Sequence, residues 1–191
     1  MNAEEVLDRF RRTGALLEGH FVLSSGLHST AYLQSALVLQ RPPEAEALAR
    51  ALAEATAQHE VETVAAPAIG GLVIGWEVAR ARGVRSIWTE RDAEGRMTLR
   101  RGFTVGEGER VLVVEDVITT GGSTRETIRA LEALGATVVG AASIIDRSAG
   151  RADVGVPRVA LATLDVPAVT PADCPQCAAG LPAVKPGSRK K

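Results

Sequence analysis

Two acidic residues stand just before a run of small hydroxyl and glycine residues in VLVVEDVITTGGST, residues 111–124. Glu115 and Asp116 follow four apolar residues, and the run after them contains Thr119, Thr120, Gly121, Gly122 and Ser123. Backbone N–H groups at a helix start carry partial positive charge and can hold a phosphate without a cationic side chain. Glycines let the backbone come close to the phosphate, and hydroxyls add donors. The segment therefore predicts a phosphate-binding loop, although it contains no lysine.

The acidic pair indicates what else the ligand carries. Carboxylates accept hydrogen bonds from ribose hydroxyls, and they can help to hold a hydrated Mg²⁺ that neutralises a second anionic group. A sugar phosphate would use both features of the loop. The Walker pattern G-x-x-x-x-G-K-[ST] is absent from the chain, and G-x-G-x-x-G is absent at this position. The alternative, a buried strand with a helix cap and two solvated acids, explains each feature singly but not their order.

The periodicity of the chain places this loop at the edge of a sheet. Strands are predicted at residues 61–67, 84–90, 111–116, 136–146 and 158–166, and helices at 3–18, 43–58, 71–83 and 125–135. Two short strands joined by a turn at Ser25 and Gly26 follow the first helix. The alternation predicts an α/β fold, a mostly parallel sheet with helices on both faces. The loop then lies at the carboxyl ends of the strands, where such folds bind ligands. Trp76 and Trp88 have apolar neighbours and are expected in the core.

Composition excludes several classes of protein. The chain has 191 residues with a formal net charge of −1, which suits one domain and argues against a general nucleic-acid or membrane-surface binder. Its acidic, amphipathic beginning is not typical of a signal peptide, and no apolar run has membrane-spanning length. With two cysteines, a secreted disulfide framework is not expected, and the default location is the cytoplasm.

The order of an apolar run followed by EDVITTGGS resembles the phosphoribosyl-diphosphate signature of type I phosphoribosyltransferases. The resemblance implies that Glu115, Asp116 and residues 119–123 bind phosphoribosyl diphosphate, with Asp116 also acting at the ribose during catalysis. It implies Mg²⁺ held through the substrate, with Glu115 and Asp116 as the only candidate protein ligands. It also implies one domain, with a small hood from residues 1–40 and 166–191 over a core at 41–165.

Two further segments resemble parts of the same family. AAPAIGG, residues 65–71, is similar to its pyrophosphate loop, in which a peptide bond is commonly cis and which here offers Ile69 and Gly70. Some relatives carry lysine where this chain has Gly70; taken alone, the segment is a glycine-rich helix start. ERDAEGRMTLRR, residues 90–101, resembles a lid that closes over the neighbouring subunit's site, which implies a homodimer. Arg91 is its candidate catalytic residue because it lies next to the end of the preceding strand, and the lysine that relatives often supply is missing from this segment. A solvated hairpin tip is the alternative.

The segment HFVLSSGLHSTAYLQ, residues 20–34, resembles the orotate phosphoribosyltransferases within the family. The resemblance implies transfer of the phosphoribosyl group from phosphoribosyl diphosphate to orotate, a step of pyrimidine biosynthesis. It implies that Ser25, Gly26 and Thr119 contact orotate and that Arg147, after a strand end, binds its carboxylate, for which a guanidinium is well matched. An amphipathic hairpin, and an Arg147 paired with a surface acid, are the alternatives. A purine phosphoribosyltransferase and a non-catalytic regulator that senses phosphoribosyl diphosphate remain open.

The two cysteines form a single C-x-x-C pair, Cys174 and Cys177. A structural zinc site needs four ligands, and no second cysteine pair completes one. The three histidines, His20, His28 and His59, share no spacing with the pair or with each other. We therefore expect free or structural thiols, with a disulfide or a site shared across a dimer as alternatives.

Overall fold

The computed structural model of the chain describes residues 1–23 and 25–186. Its strands are β1 Leu16–Val22, β2 His28–Leu33, β3 Thr63–Pro67, β4 Arg85–Arg91, β5 Met97–Leu99, β6 Arg110–Ile118, β7 Thr137–Asp146, β8 Arg158–Thr163 and β9 Ala168–Val169. Its α-helices are α1 Ala3–Arg12, α2 Ala36–Leu39, α3 Pro42–Ala55, α4 Leu72–Arg82, α5 Gly122–Glu132 and α6 Pro175–Ala178.

Six strands form the central sheet in the order β5-β4-β3-β6-β7-β8. All neighbours in it are parallel except β4 and β5, which form an antiparallel hairpin. This confirms the predicted fold class. Strand β4 follows β3 in the chain and lies on one side of it, whereas β6, β7 and β8 lie in succession on the other side. The direction in which strands are added therefore reverses between β3 and β6. A crevice opens at such a reversal, and the loops after β3 and β6 border it.

Both faces of the central sheet are buried. Val64, Leu112 and Val114 pack with α1, α3 and α4 on one face, whereas alternate residues such as Ala65 and Val113 pack with α5 on the other. This explains why β3 and β6 are continuous apolar runs without the alternation of a half-exposed strand. One core prediction is wrong, because Trp76 is 54% exposed on α4.

The first helix is shorter than predicted. It ends at Arg12, and Gly14 with φ of 72° turns the chain into β1, in which Leu17 and the predicted stop Gly19 lie. Of the residues predicted to share one face of the helix, only Val6 and Phe10 lie in it, and both are fully buried. Strand β6 runs on to Ile118 because it stays paired with β7 as far as Asp146. Helix α5 begins three residues earlier than the predicted residue 125.

Strands β1, β2 and β9 form a separate antiparallel sheet, which we call the hood sheet. The connection between β1 and β2 contains Ser25 and Gly26, and Gly26 has φ of 83°. The C-terminal segment returns to this sheet, since Val22 N–H donates to Val184 O at 2.8 Å and Val184 N–H donates to His20 O at 2.8 Å. Within the part of the chain that the structure describes, no helix combines the length and the apolar character that crossing a membrane requires.

Candidate active site

The loop between β6 and α5 forms a small cradle at the sheet edge. A cavity of about 60 Å³ is lined by Glu115 and by the chain from Val117 to Thr124, which includes all the predicted loop residues. Gly121 has φ of 74°, and a Cβ there would lie 2.9 Å from Val154 Cγ1, so only glycine fits this turn. The first N–H groups of α5 have no carbonyl four residues back to receive them. The cradle is therefore suited to a single phosphate group.

Glu115 and Asp116 lie beside the cradle in different environments. Glu115 is only 8% exposed, and burial, helped by the adjacent Asp116 carboxylate, raises its pKa to about 9. Glu115 is therefore a neutral carboxyl at physiological pH, and Asp116 is half-buried. A Cβ built on Gly70 would lie 2.8 Å from Asp116 Oδ1, so the glycine lets the loop after β3 approach the acidic pair. A lysine stem at position 70 would require the Asp116 carboxylate to move.

The loop after β3 has the backbone that the resemblance implied. The peptide bond between Ala68 and Ile69 is cis, and Ile69 is 84% exposed at the crevice. Gly71 comes next, and a Cβ built on it would lie 3.0 Å from Val114 O and 3.1 Å from Pro67 O. The glycines thus hold this loop against the end of β6, and Ile69 and Gly70 lie at the same sheet edge as the phosphate cradle.

A larger cavity of about 740 Å³ lies between the hood sheet and the central sheet. It brings together three of the residues predicted to contact the base, Ser25, Thr119 and Arg147. Gly26 is in the same turn but does not line the cavity. Thr120 lines both this cavity and the phosphate cradle, so the two spaces are adjacent.

Arg147 is half-buried and lacks a counter-charge. Its Nη2 donates to Ser29 Oγ at 3.3 Å, and no carboxylate in residues 1–23 or 25–186 forms an ion pair with it. Burial lowers its pKa, but a guanidinium remains charged. The alternative of an Arg147 paired with a surface acid is therefore wrong for the described part of the chain. A cation that faces a cavity without an anion is suited to an anionic ligand.

Asp146 is a buried acid beside the candidate site that the sequence analysis did not single out. Its Oδ1 accepts hydrogen bonds from Ser148 N at 2.7 Å and Ser148 Oγ at 2.6 Å, and its Oδ2 accepts from Gly150 N and Arg158 Nη1 at 2.9 Å. Burial acts to raise its pKa, but the hydrogen bonds from Ser148 and Arg158 outweigh this and lower it. Asp146 fixes the turn that carries Arg147. Its position could have been noticed in the sequence, because it is an acidic residue at a strand end directly before Arg147.

The arginine-bearing hairpin does not reach the cradle of its own chain. Arg91 forms an ion pair with Glu126 of α5 at 2.7 Å and lines neither cavity described above. Residues 94–97 of the hairpin lie against Glu126, Arg129 and Ala130, on the side of α5 beyond its first turn. Arg96 and Arg101 pair with acids of the hairpin itself. The structure therefore separates Arg91 from the other predicted site residues.

The fold also assembles a cluster that sequence spacing did not indicate. His20, His28, Cys174 and Cys177 have ligand atoms that all lie within 4.8 Å of one another. The expectation that no histidine completes the cysteine pair is wrong. The signal was missing because the histidines and the cysteines are far apart in the chain; His28 and Cys177 are 149 positions apart.

Comparison with known proteins identifies the family of this chain. The Phosphoribosyl transferase domain matches residues 36–160, and the chain belongs to this family. Among curated relatives, it is 54% identical to the orotate phosphoribosyltransferase of Pelotomaculum thermopropionicum over 100% of both chains. It is 52% identical to that of Thermus thermophilus, covering 93% of this chain and 97% of the relative. The predicted resemblance is confirmed.

Solved structures agree with this family. The orotate phosphoribosyltransferase of Aeropyrum pernix superposes with a TM-score of 0.73 at 29% identity, covering 83% of this chain and 93% of that one. The enzyme of Mycobacterium tuberculosis in complex with 5-phospho-alpha-D-ribosyl 1-diphosphate gives a TM-score of 0.68 at 25% identity, covering 84% of this chain and 94% of that one. The type I phosphoribosyltransferase fold is thereby confirmed.

The raised pKa of Glu115 predicts a pH-dependent stability. Because its folded pKa of about 9 lies above an unfolded value of about 4.3, stability is full below the unfolded pKa. It falls as pH rises toward the folded pKa, since only the unfolded chain releases the proton. We expect the stability that Glu115→Gln adds to the ligand-free protein to be about 4 kcal/mol greater at pH 8 than at pH 5.

Urea unfolding of both proteins at the two pH values measures this difference. Glu132→Gln, on the exposed side of α5, is the control and should change stability by less than about 0.5 kcal/mol at either pH. An effect of Glu115→Gln that is the same at pH 5 and pH 8 would contradict a buried, neutral carboxyl.

Proposed function

We propose that this chain transfers the 5-phosphoribosyl group of phosphoribosyl diphosphate to orotate, giving orotidine 5′-monophosphate and pyrophosphate in pyrimidine biosynthesis. The observation that carries the choice of orotate is the position of Arg147. Its unpaired guanidinium faces a cavity that adjoins the phosphate cradle, and orotate is a base with a carboxylate. A fork of guanidinium N–H donors matches a carboxylate with two parallel hydrogen bonds.

Different residues of the cradle bind different parts of the sugar phosphate. Backbone N–H groups and hydroxyls of residues 119–123 hold the 5′-phosphate. Neutral Glu115 and charged Asp116 receive the ribose hydroxyls, because a protonated carboxyl still accepts through its carbonyl oxygen. Ile69 and Gly70 offer backbone N–H groups to the pyrophosphate from the loop after β3. In catalysis, the charge of Asp116 stabilises the positive charge that develops on the ribose as its bond to pyrophosphate lengthens.

Phosphoribosyltransferases generally use Mg²⁺ with phosphoribosyl diphosphate, and the residues of this site fit such an ion. Mg²⁺ keeps several waters and usually takes one or two carboxylates together with substrate phosphates. Buried, neutral Glu115 is a poor ligand, which leaves Asp116 as the nearest charged carboxylate and most of the coordination to the substrate. When bound, the ion would neutralise the departing pyrophosphate.

The reaction requires orientation and no protein nucleophile. Orotate lies in the larger cavity with its carboxylate at Arg147 and its ring between Thr119 and the hood turn at Ser25 and Gly26. N1 of orotate loses its proton to solvent and attacks C1 of the ribose, while the bond from C1 to pyrophosphate breaks on the opposite face and pyrophosphate leaves with the bonding electrons. Holding both reactants in this geometry supplies much of the rate enhancement.

An acceptor assay separates this function from a purine phosphoribosyltransferase and from a regulator without catalysis. The protein is incubated with Mg²⁺, phosphoribosyl diphosphate and one of orotate, adenine, hypoxanthine, xanthine or uracil, and pyrophosphate release is measured. We expect release with orotate alone. Release with a purine would reassign the acceptor, and binding of phosphoribosyl diphosphate without release from any mixture would favour the regulator.

The role of Arg147 predicts a selective defect. We expect Arg147→Ala to raise KM for orotate about 100-fold, through loss of about 2–3 kcal/mol of charge-assisted hydrogen bonding, and to change KM for phosphoribosyl diphosphate less than about threefold. Arg151→Ala is the matched control, since Arg151 lines the same cavity but pairs with Asp165 at 3.5 Å. Equal losses for both substrates would show that Arg147 supports the site as a whole and does not read the carboxylate.

An exposed apolar patch supports a homodimer with the lid acting in trans. Ile69, Val73 and Trp76 are exposed next to a cavity of about 340 Å³ that Trp88 of β4 also lines. Exposed patches of this kind mark interaction surfaces. The patch adjoins both the pyrophosphate loop and the strand that leads to Arg91. A second copy seated on it would place each lid near the other copy's cradle, where Arg91 reaches the pyrophosphate.

Mixing two inactive variants tests this arrangement. Arg91→Ala removes the lid cation and Asp116→Asn removes the cradle charge, so each homodimer should be severely impaired. After the two are unfolded together and refolded, heterodimers should restore activity to about a quarter of the sites, since half of the dimers gain one intact site. A mixture no more active than its components would show that the lid acts within its own chain or that Arg91 is not catalytic.

A further inference from the structure

We propose that His20, His28, Cys174 and Cys177 form a structural zinc site that fastens the hood sheet to the C-terminal segment. Two imidazoles and two thiols offer one ligand atom each, and these four atoms lie within 4.8 Å of one another. Both histidines and Cys174 are buried, and Cys177 is half-buried. Two histidines with two cysteines are a common ligand set of structural zinc sites.

The distances between the ligand atoms match the edges of a zinc tetrahedron. With Zn–N of about 2.0 Å and Zn–S of about 2.3 Å, an N···S edge is about 3.5 Å. Cys174 Sγ lies 3.4 Å from His20 Nε2, and Cys177 Sγ lies 3.7 Å from His20 Nε2 and 3.3 Å from His28 Nδ1. The two nitrogens are 2.7 Å apart, as in a hydrogen bond, so the rings must separate by about 0.6 Å to reach the N···N edge of about 3.3 Å.

The surroundings of His20 orient it as a metal ligand. Its Nδ1 lies 2.9 Å from Leu181 O, and because a carbonyl only accepts, Nδ1–H is the donor; in the neutral tautomer with this donor, Nε2 is the nitrogen with a free lone pair. Nε2 is the atom that faces both sulfurs. Ligating histidines usually donate their second ring N–H to a carbonyl or carboxylate in this way. The contact also links the cluster to Leu181, in the segment that follows α6.

The topology of the hood sheet delivers the four ligands from two distant segments. His20 and His28 lie on the antiparallel strands β1 and β2 near their shared turn. Strand β9 then pairs with β2, with Val169 opposite His28, and brings the C-terminal chain to the same place. A 3-10 turn at Pro171–Asp173, capped by Thr170, leads directly to Cys174, and α6 carries Cys177 back toward the histidines.

A disulfide is the competing chemistry for a C-x-x-C pair. The two thiols are free in this structure, and a disulfide would leave the two buried histidines without a reason to converge on the sulfurs. Zinc binding to thiolates and neutral imidazoles uses all four groups and leaves no open position, which is the pattern of a structural rather than a catalytic site.

The location gives the site a consequence for the base cavity. The chain between His20 and His28 supplies Leu23, Ser25 and Leu27 to the cavity lining, so a metal would fix both ends of that turn. This consequence, unlike the metal site itself, rests on the proposed function. If it holds, removal of zinc raises KM for orotate more than KM for phosphoribosyl diphosphate.

Metal content of the untagged chain, purified without chelators, tests the site independently of activity. We expect about one zinc ion per chain by mass spectrometry, and less than about a tenth of that for Cys174→Ser/Cys177→Ser and for His20→Asn. His59→Asn, a histidine outside the cluster, is the matched control and should retain the ion. Replacement by Co²⁺ should give the thiolate charge-transfer and visible bands of a tetrahedral site. Wild-type protein without zinc and unable to bind Co²⁺ would overturn the proposal.

A second measurement covers the case in which the variants fold poorly. A mercurial that captures thiols is titrated into the folded wild-type protein, and released zinc is followed with a colorimetric chelator. We expect release in step with the two thiols. Thiols that titrate without zinc release, or that are absent because they form a disulfide, would overturn the proposal. Hydrogen exchange of residues 16–33 should rise when zinc is removed, whether or not the protein acts on orotate; unchanged exchange would show that the ion does not fasten the hood sheet.

Discussion

The candidate active site depends on the first backbone N–H groups of α5, which have no helical carbonyl to receive them and lie at the sheet edge. These donors can bind a ligand only if the turn before the helix directs them toward it. Gly121 makes that turn with a positive φ, and Val154 leaves no room there for a side chain. Binding phosphate with backbone dipoles removes the need for a lysine in the loop.

The acidic pair shows how the site balances stability against chemistry. Burying Glu115 in its neutral form costs stability at neutral pH, because the unfolded chain would ionise it. A neutral carboxyl beside Asp116 lets two acids stand together next to an anionic ligand with only one negative charge. Gly70 completes the arrangement by leaving space for the Asp116 carboxylate, so the two loops at the strand-order reversal are fitted to each other.

The parts that the sequence predicted are those whose signals are local. The run from Glu115 to Ser123 gave the cradle, because strand, turn and helix start follow one another within a few residues. Leu17 was placed in the first helix because helical spacing ignored the turn at Gly14, and Trp76 was placed in the core because apolar neighbours do not reveal an uncovered surface. Arg147 was predicted at a strand end, but its lack of an acidic partner depends on the packing of Ser29 from a distant strand.

The histidine–cysteine cluster joins the hood sheet to the C-terminal segment, and the spacing of these residues in the sequence cannot indicate this. Strand β9 contributes only two residues to this three-stranded sheet, so it forms few ladder hydrogen bonds with β2. Small units of this kind commonly gain stability from disulfides or metals. The turn between β1 and β2 projects from this sheet and lines the larger cavity with Leu23, Ser25 and Leu27. A metal ion bound by the four side chains from β1, β2 and the C-terminal segment, as proposed above, would stabilise this sheet, and only the folded topology brings these side chains together.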